Sequence, residues 1–190
     1  MGIGLSKPPQ QIVRPAPQVG EHRELPGADA SRGPGIVAFL RHPGCPFAEA
    51  TVKKMRALAA RHPEVAFVIV SHGERQVAED WLSVIGGLGA LQWLHSSERD
   101  LYGAWGIGYS ERTHFINAIT LLRVIGYLFR GIRNRADSGT RWQRAATFAR
   151  DADGTVVWSH HPAAAHELPG LDAALAALGH PRDQPTAPAG

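Results

Sequence analysis

Cys45 lies just beyond an apolar run, Ile36-Val37-Ala38-Phe39-Leu40, in the stretch Arg41-His42-Pro43-Gly44-Cys45-Pro46. A strand followed by a helix that opens on Pro46 puts this cysteine at the N-cap. There, unpaired backbone N–H groups and the positive end of the helix dipole favour thiolate over thiol. An ordinary thiol, with a pKa of about 8.5, is only a few per cent ionised at pH 7, and a fall of roughly two units makes it mostly thiolate. Arg41 and His42, close by in the chain, add positive charge that acts in the same direction. The chemistry to expect is attack by sulfur, as against the plainer role of a small buried apolar residue that most free cysteines fill. Position favours the reactive role, because α/β folds place their ligands at the carboxyl ends of strands.

Cys45 is the only cysteine among 190 residues. An intramolecular disulfide and a Cys-x-x-Cys zinc site are both excluded, and a reducing compartment, the cytoplasm, is the expected home. Ten histidines raise the question of a metal. The densest group is His160, His161 and His166, but neighbours in a strand point to opposite faces, so joint ligation and a metal centre are not expected. Gly106-Ile107-Gly108-Tyr109-Ser110-Glu111 lacks the third glycine of a dinucleotide fingerprint, and no cofactor is expected either. Met1-Gly2-Ile3-Gly4-Leu5-Ser6 fits the short acylation pattern at Gly2, a match so brief that chance produces it easily.

The elements that must hold Cys45 follow from periodicity. Residues 1–34 are rich in Pro, Gly and polar side chains and read as an arm, with Gln11-Ile12-Val13 as its one strand-like stretch. A domain over 35–180 follows, and 181–190, with three prolines, reads as a tail. Within the domain the first strand leads into a helix with Phe47, Met55, Leu58 and Ala59 on an apolar stripe and Glu49, Lys53, Lys54, Arg56 and Arg61 facing water. Val65 to Ser71 reads as a second buried strand. Gln76 to Ile85 reads as a helix with Val77, Trp81, Val84 and Ile85 on one face, and Leu91 to His95 as a third strand. A short helix over 98–105 and a long one over about 113–134 come next. Arg144 to Arg150 and Thr155 to His161 form a hairpin across Ala152-Asp153-Gly154, and 171–178 is the last helix. The order β-α-β-α-β, inserted helices, hairpin and closing helix predicts an α/β fold: a thioredoxin-like three-layer sandwich with a mixed central sheet and an inserted long helix.

Twenty basic against 17 acidic residues, net +3, leave no surface for tracking phosphates, so nucleic acid is not an expected partner. The one basic cluster, Arg130, Arg133, Arg135 and Arg141, reads as a solvated helix end. No stretch supplies eighteen uncharged apolar residues, so no integral membrane span is expected. The apolar face of the 113–134 helix, with Phe115, Ile119, Leu122, Ile125, Phe129 and Ile132, is wider than a peripheral helix needs. Core packing is its first use and a homodimer contact its second.

The run Arg41-His42-Pro43-Gly44-Cys45-Pro46-Phe47-Ala48 resembles the alkyl hydroperoxide reductase and thiol-specific antioxidant family, in its divergent peroxiredoxin-like branch. So do Trp105-Gly106-Ile107-Gly108, Ile132-Arg133-Asn134-Arg135, Ser138-Gly139-Thr140-Arg141-Trp142-Gln143, Thr147-Phe148 and Asp151-Ala152-Asp153-Gly154. The likeness runs from about Val19 to Leu178. It implies a thiol peroxidase or antioxidant-type oxidoreductase with Cys45 in the peroxidatic position, a small peroxide or related oxidised substrate, and Arg41 or Arg144 as the cation near the breaking O–O bond. His42 stands where typical members have the Thr or Ser that orients peroxide, and Ala48 where many members of the branch have a second cysteine. With no resolving cysteine in the chain, an external thiol or another subunit's Cys45 must reduce the sulfenic acid. The alternative from another class is a non-catalytic thioredoxin-like module that senses redox state or binds a partner through Cys45. A glutaredoxin-like thiol transfer, suggested by Cys45-Pro46-Phe47, is disfavoured because no proline occurs from Tyr109 through His161 to form the usual substrate groove.

Overall fold

The structure is a computed structural model that describes residues 12–29, 33–111, 126–127, 131–132 and 138–180. Most of the helix expected over 113–134, with the dimer contact read on it, lies outside the described residues. Gly2, Arg130, Arg133, Arg135 and the 181–190 tail lie outside them as well.

Five strands form one sheet in the order β3-β2-β1-β4-β5: β1 (Gly35–Phe39), β2 (Ala66–Ser71), β3 (Gln92–His95), β4 (Ala146–Arg150) and β5 (Val156–His160). The first three are parallel, with Ala38 opposite Ile69 and Ile69 opposite Trp93. Each of these pairs is joined through a helix: α1 (Pro46–Arg61) between β1 and β2, and α2 (Arg75–Val84) between β2 and β3. β1 and β2 are central, covered on both faces, and therefore read in sequence as unbroken apolar runs rather than alternating ones. β4 pairs antiparallel with β1, Phe39 opposite Ala146, and turns back as β5. The turn is held by Asp151 and Asp153, whose carboxylates accept from the Thr155 backbone N–H at 2.8 and 2.9 Å, with Gly154 supplying the positive φ of 92°.

The alternation of side chains along the strands makes two cores. Ile36 and Ala38 of β1, with Leu40 just beyond it, face a core built with α1, α2 and the last helix, α4 (Leu171–Ala177); Met55, Leu58, Leu171 and Leu175 are fully or nearly fully enclosed there. Val37 and Phe39 face the other core, where α3 (Asp100–Ala104) brings Tyr102 and the chain beyond it brings Trp105 against Phe148. Phe39 meets Tyr102, Trp105 and Phe148 at ring-centroid distances of 5.2, 5.5 and 6.1 Å, two of them edge-on. The result is the thioredoxin-like α/β sandwich.

Two helix faces differ from their sequence reading. Val84 is 63% exposed, and the buried side of α2 is Ala78, Trp81 and Leu82, continued by Ile85. The apolar spacing of 77, 81, 84 and 85 thus puts the stripe on a neighbouring row of the helix. Glu49, expected to face water, is wholly buried, because the first turns of α1 are enclosed all round, with only Ala50 among residues 46–52 less than fully covered.

Residues 12–29, read as part of an arm, run along the second core, and Ile12-Val13 adopts no strand. Arg14 N–H donates to the Gly103 carbonyl at 2.9 Å, Gly20 N–H to Val156 at 2.8 Å, and Trp105 Nε1–H to Glu24 at 3.1 Å, while Leu25 joins the core itself. Gly106, with φ of 75°, lies so close that a β-carbon there would stand 2.3 Å from Ala16 Cα. Gly106→Ala is therefore expected to cost about 2–4 kcal/mol, from the left-handed backbone and the displaced segment together. Urea denaturation measures that loss, and a midpoint equal to the parent's would show that the segment is not pressed against Gly106.

Candidate functional site

The carboxyl ends of β1 and β2 lie side by side, and the site is assembled there. Leu40 N–H donates to the Val70 carbonyl at 2.9 Å, and the buried Tyr102 hydroxyl lies 2.7 Å from the Leu40 carbonyl and 2.9 Å from that of Val70. This clamp fixes the chain as it leaves the sheet for Arg41. Burial lifts the Tyr102 hydroxyl pKa well above its ordinary value, so it remains protonated and donating.

Cys45 is the N-cap of α1, in extended backbone geometry (φ −72°, ψ 128°), with Pro46 opening the helix. Its carbonyl accepts from Glu49 N–H at 3.0 Å. The side chain makes no capping hydrogen bond. Instead the sulfur sits 4.0 Å from Arg41 Nη1. The expected position is present, and the thiol meets a guanidinium while making no capping bond to the helix amides. Cys45 is 2% exposed, packed in the first core near Phe47, Ala48 and Leu40, and it is the one cysteine.

Arg41 is buried, and its other terminal nitrogen, Nη2, donates to the Arg141 carbonyl at 2.9 Å. That bond ties the Arg41–Cys45 turn to the 138–143 segment. The same segment is locked to the Trp105–Gly108 turn by Gln143, whose buried amide donates to the Ile107 and Gly108 carbonyls at 3.1 and 3.2 Å. His42 is buried, and since a carbonyl only accepts, its Nδ1 must carry the proton shared with Pro43 O at 2.8 Å. Arg144 stands just before β4, half-buried, with Nη2 3.4 Å from the Pro162 carbonyl and its backbone N–H on Gly108. The structure thus brings Arg41 to Cys45, directs His42 into its own turn, and engages Arg144 with the 162 loop.

Sequence reasoning missed His72. It is fully enclosed at the end of β2, and its Nε2 donates to the Arg41 carbonyl. Burial pulls its pKa down to about 4, partly opposed by the bond to Arg41 O and reinforced by the charges of Arg99 and His95. The ring is therefore neutral near pH 7, with the lone pair on Nδ1, and Gly139 is packed so tightly on that nitrogen that a β-carbon would lie 2.3 Å from it. The available signal is positional: His72 follows an apolar strand as Arg41 does. Glu49 was also missed. Its carboxylate, in the first turn of α1 where negative charge is favoured, accepts from Lys53 Nζ at 2.6 Å.

Beside the thiol a cleft of about 430 Å³ opens between β1, the start of α1, the entry to β4 and the 162–169 loop. Arg41, Phe47, Ala48, Thr147, His160 and Pro169 are among the residues that line it. Arg41, which contacts the sulfur, lines the cleft, and Cys45 itself does not. Among the described residues no helix is long and apolar enough to cross a membrane.

No protein-family model matches the chain, and no curated protein matches it in sequence. Solved structures do match in shape. A peroxiredoxin-like protein from Aquifex aeolicus aligns over 90% of this chain and 91% of its own, with a TM-score of 0.60 at 13% identity. A thiol peroxidase from Chromobacterium violaceum aligns over 86% and 87%, with a TM-score of 0.57 at 13% identity. The bacterioferritin comigratory protein of Xanthomonas campestris, described for alkyl peroxide reduction, aligns over 77% and 76%, with a TM-score of 0.50 at 13% identity. The class is accordingly a thioredoxin-like α/β fold. Within it, the chain is similar in shape to these peroxiredoxin-like structures, and it carries one buried cysteine at the head of α1.

Proposed function

We propose that the protein is a one-cysteine thiol peroxidase that reduces a small hydroperoxide and is restored by an external thiol. The observation that carries this reading is the Arg41 guanidinium 4.0 Å from Cys45 Sγ, buried with it at the N-terminus of α1. The thiolate attacks one oxygen of the O–O bond. That bond breaks, sulfur is oxidised to the sulfenic acid, and the other oxygen leaves as alkoxide or hydroxide and takes up a proton. Arg41 stabilises the negative charge, first on sulfur and then on the departing oxygen. A thiol from outside then attacks the sulfenic sulfur, releasing water and forming a mixed disulfide, which a second thiol resolves to give back the Cys45 thiolate. Arg144, at the flank of the cleft, is the second cation of this reading, and His42 shapes the turn that presents the cysteine. A single thiol served by soluble reductants suits a reducing compartment such as the cytoplasm.

The test is rapid consumption of hydrogen peroxide or an alkyl hydroperoxide with a thiol reductant, lost in Cys45→Ser; the same slow rate in both proteins would defeat the proposal. The second reading, a redox-sensing module without turnover, draws on the 2% exposure of Cys45, which keeps bulky thiols from the sulfur. It predicts one-time oxidation of the thiol by peroxide, with no catalytic cycle at any reductant concentration.

A further inference from the structure

Far from the thiol, the end of α1 and the end of α4 bring together His62, Glu64 and His180. His62 is the C-cap residue of α1, and its N–H closes on the Leu58 carbonyl at 2.9 Å. His180 follows α4 in a fixed turn: Gly179, with φ of 84°, donates to Ala176, and His180 N–H donates to Leu175 at 3.0 Å. This is the Schellman arrangement, which holds the residue after the glycine in a defined place. Glu64 Oε1 lies 3.4 Å from His62 Nδ1 and 3.2 Å from His180 Nδ1, and the three candidate ligand atoms all lie within 4.8 Å of one another.

The His62 distance lies beyond the roughly 2.7–3.2 Å range of N–H···O hydrogen bonds and the His180 distance at its upper edge. They suit ligands sharing a metal. Around a tetrahedral ion bound at about 2.0–2.2 Å, neighbouring donor atoms are about 3.3–3.6 Å apart. Both imidazoles are largely covered while the carboxylate is half exposed, so an ion has an entry path and a position left for water. The carbonyl end of α1, 16 residues long, supplies the negative pole of the helix at the same point.

We propose that His62, Glu64 and His180 bind one divalent ion of the zinc class, which clasps the end of α4 to the end of α1. Two imidazoles and a carboxylate are borderline donors that suit Zn²⁺, with Cu²⁺ the stronger competitor by general affinity order. The site lies at the far end of α1 from Cys45, roughly 24 Å along the helix at 1.5 Å per residue, so its role is structural and independent of the thiol.

The test is calorimetric titration of Zn²⁺ into the full-length, tag-free chain carrying Cys45→Ser, which removes the competing sulfur. One equivalent is expected to bind with micromolar or tighter affinity. At a hundredfold excess over the dissociation constant, Zn²⁺ raises Tm by about 5–10 °C. His180→Ala and, separately, the milder Glu64→Gln each weaken binding at least tenfold and abolish the Tm shift, while Tm without metal stays near the parent's. Co²⁺ in place of Zn²⁺ gives visible bands of tetrahedral intensity in the parent and not in these variants. Absence of saturable binding below 1 mM (roughly 4 kcal/mol of binding energy) overturns the proposal, and so does equal binding by parent and both variants, which would assign the ion to other histidines.

Discussion

Arg41→Met is expected to reduce hydroperoxide roughly 10²–10³-fold more slowly than the parent, and Cys45→Ser to leave only the uncatalysed rate. Two positive sources face the sulfur at the head of α1. A helix terminus contributes about 0.3–1 kcal/mol to a nearby anion, and here the cysteine side chain makes no capping bond that would draw on it fully. Unit charges 4 Å apart interact by about 4 kcal/mol at an effective dielectric constant near 20, so the guanidinium outweighs the helix end. Arg41 also donates to the Arg141 carbonyl, and methionine leaves that acceptor without this donor. Urea unfolding of the same samples therefore separates a weakened fold from a lost catalytic charge. Arg41→Lys keeps the charge but loses the fork that reaches both sulfur and carbonyl, and a rate between those of parent and Arg41→Met is expected. Iodoacetamide labelling of the single thiol at pH 7 reports the same ordering without any peroxide. Equal peroxide rates for parent and Arg41→Met would remove Arg41 from the mechanism.

The second large effect is on stability against pH. His72 has its pKa lowered to about 4 in the folded chain, first by burial, against about 6.5 when unfolded. Between these values the unfolded chain binds the proton and the folded chain does not, so stability rises with pH across that window. The contribution is complete above pH 6.5 and is lost as pH falls toward 4. The total is about 3 kcal/mol, from roughly 2.5 units at 1.36 kcal/mol each. Because the ring is enclosed, solvent screening does not discount it. Carboxylates with lowered pKa, Asp100 and Asp172 among them, withdraw their support only at still lower pH. His72→Gln retains a side-chain N–H for the Arg41 carbonyl but does not titrate. Urea midpoints measured from pH 7 to 4.5 are expected to fall steeply for the parent and less for this variant. Parallel curves would show that His72 is not the group responsible. Protonation would put an N–H on Nδ1, the nitrogen packed against Gly139, so acid is felt first where the 138–139 backbone meets the ring.

Much of this is legible in the chain itself. Doubly covered strands write themselves as apolar runs, which is why β1 and β2 and the helix between them can be placed to within a residue or two. Pro46 marks the head of α1 and with it the position of Cys45. Helix faces are less secure. The stripe rule assumes one wet side, and it fails for Glu49, where a helix end is sunk in the body of the protein, and for Val84, where several apolar rows compete. His72 carries no motif; its importance comes from which carbonyl β2 sets beside it, a fact of pairing register that no local window contains. The role of Arg41 is visible as proximity in sequence, but its link to Arg141, a hundred residues away, is not.

The 12–29 segment contributes backbone hydrogen bonds, the Arg23 side chain on the Ala104 carbonyl, and Leu25 with Ala28 rather than a regular element, yet it packs on the core of the Phe39–Trp105–Phe148 cluster. The smallest autonomous folding unit is therefore expected to be longer than the span from first strand to last helix. A truncation drawn at Gly35 would strip the Trp105 indole of its acceptor and wet the underside of the sheet, so a trimmed fragment should begin ahead of Arg14.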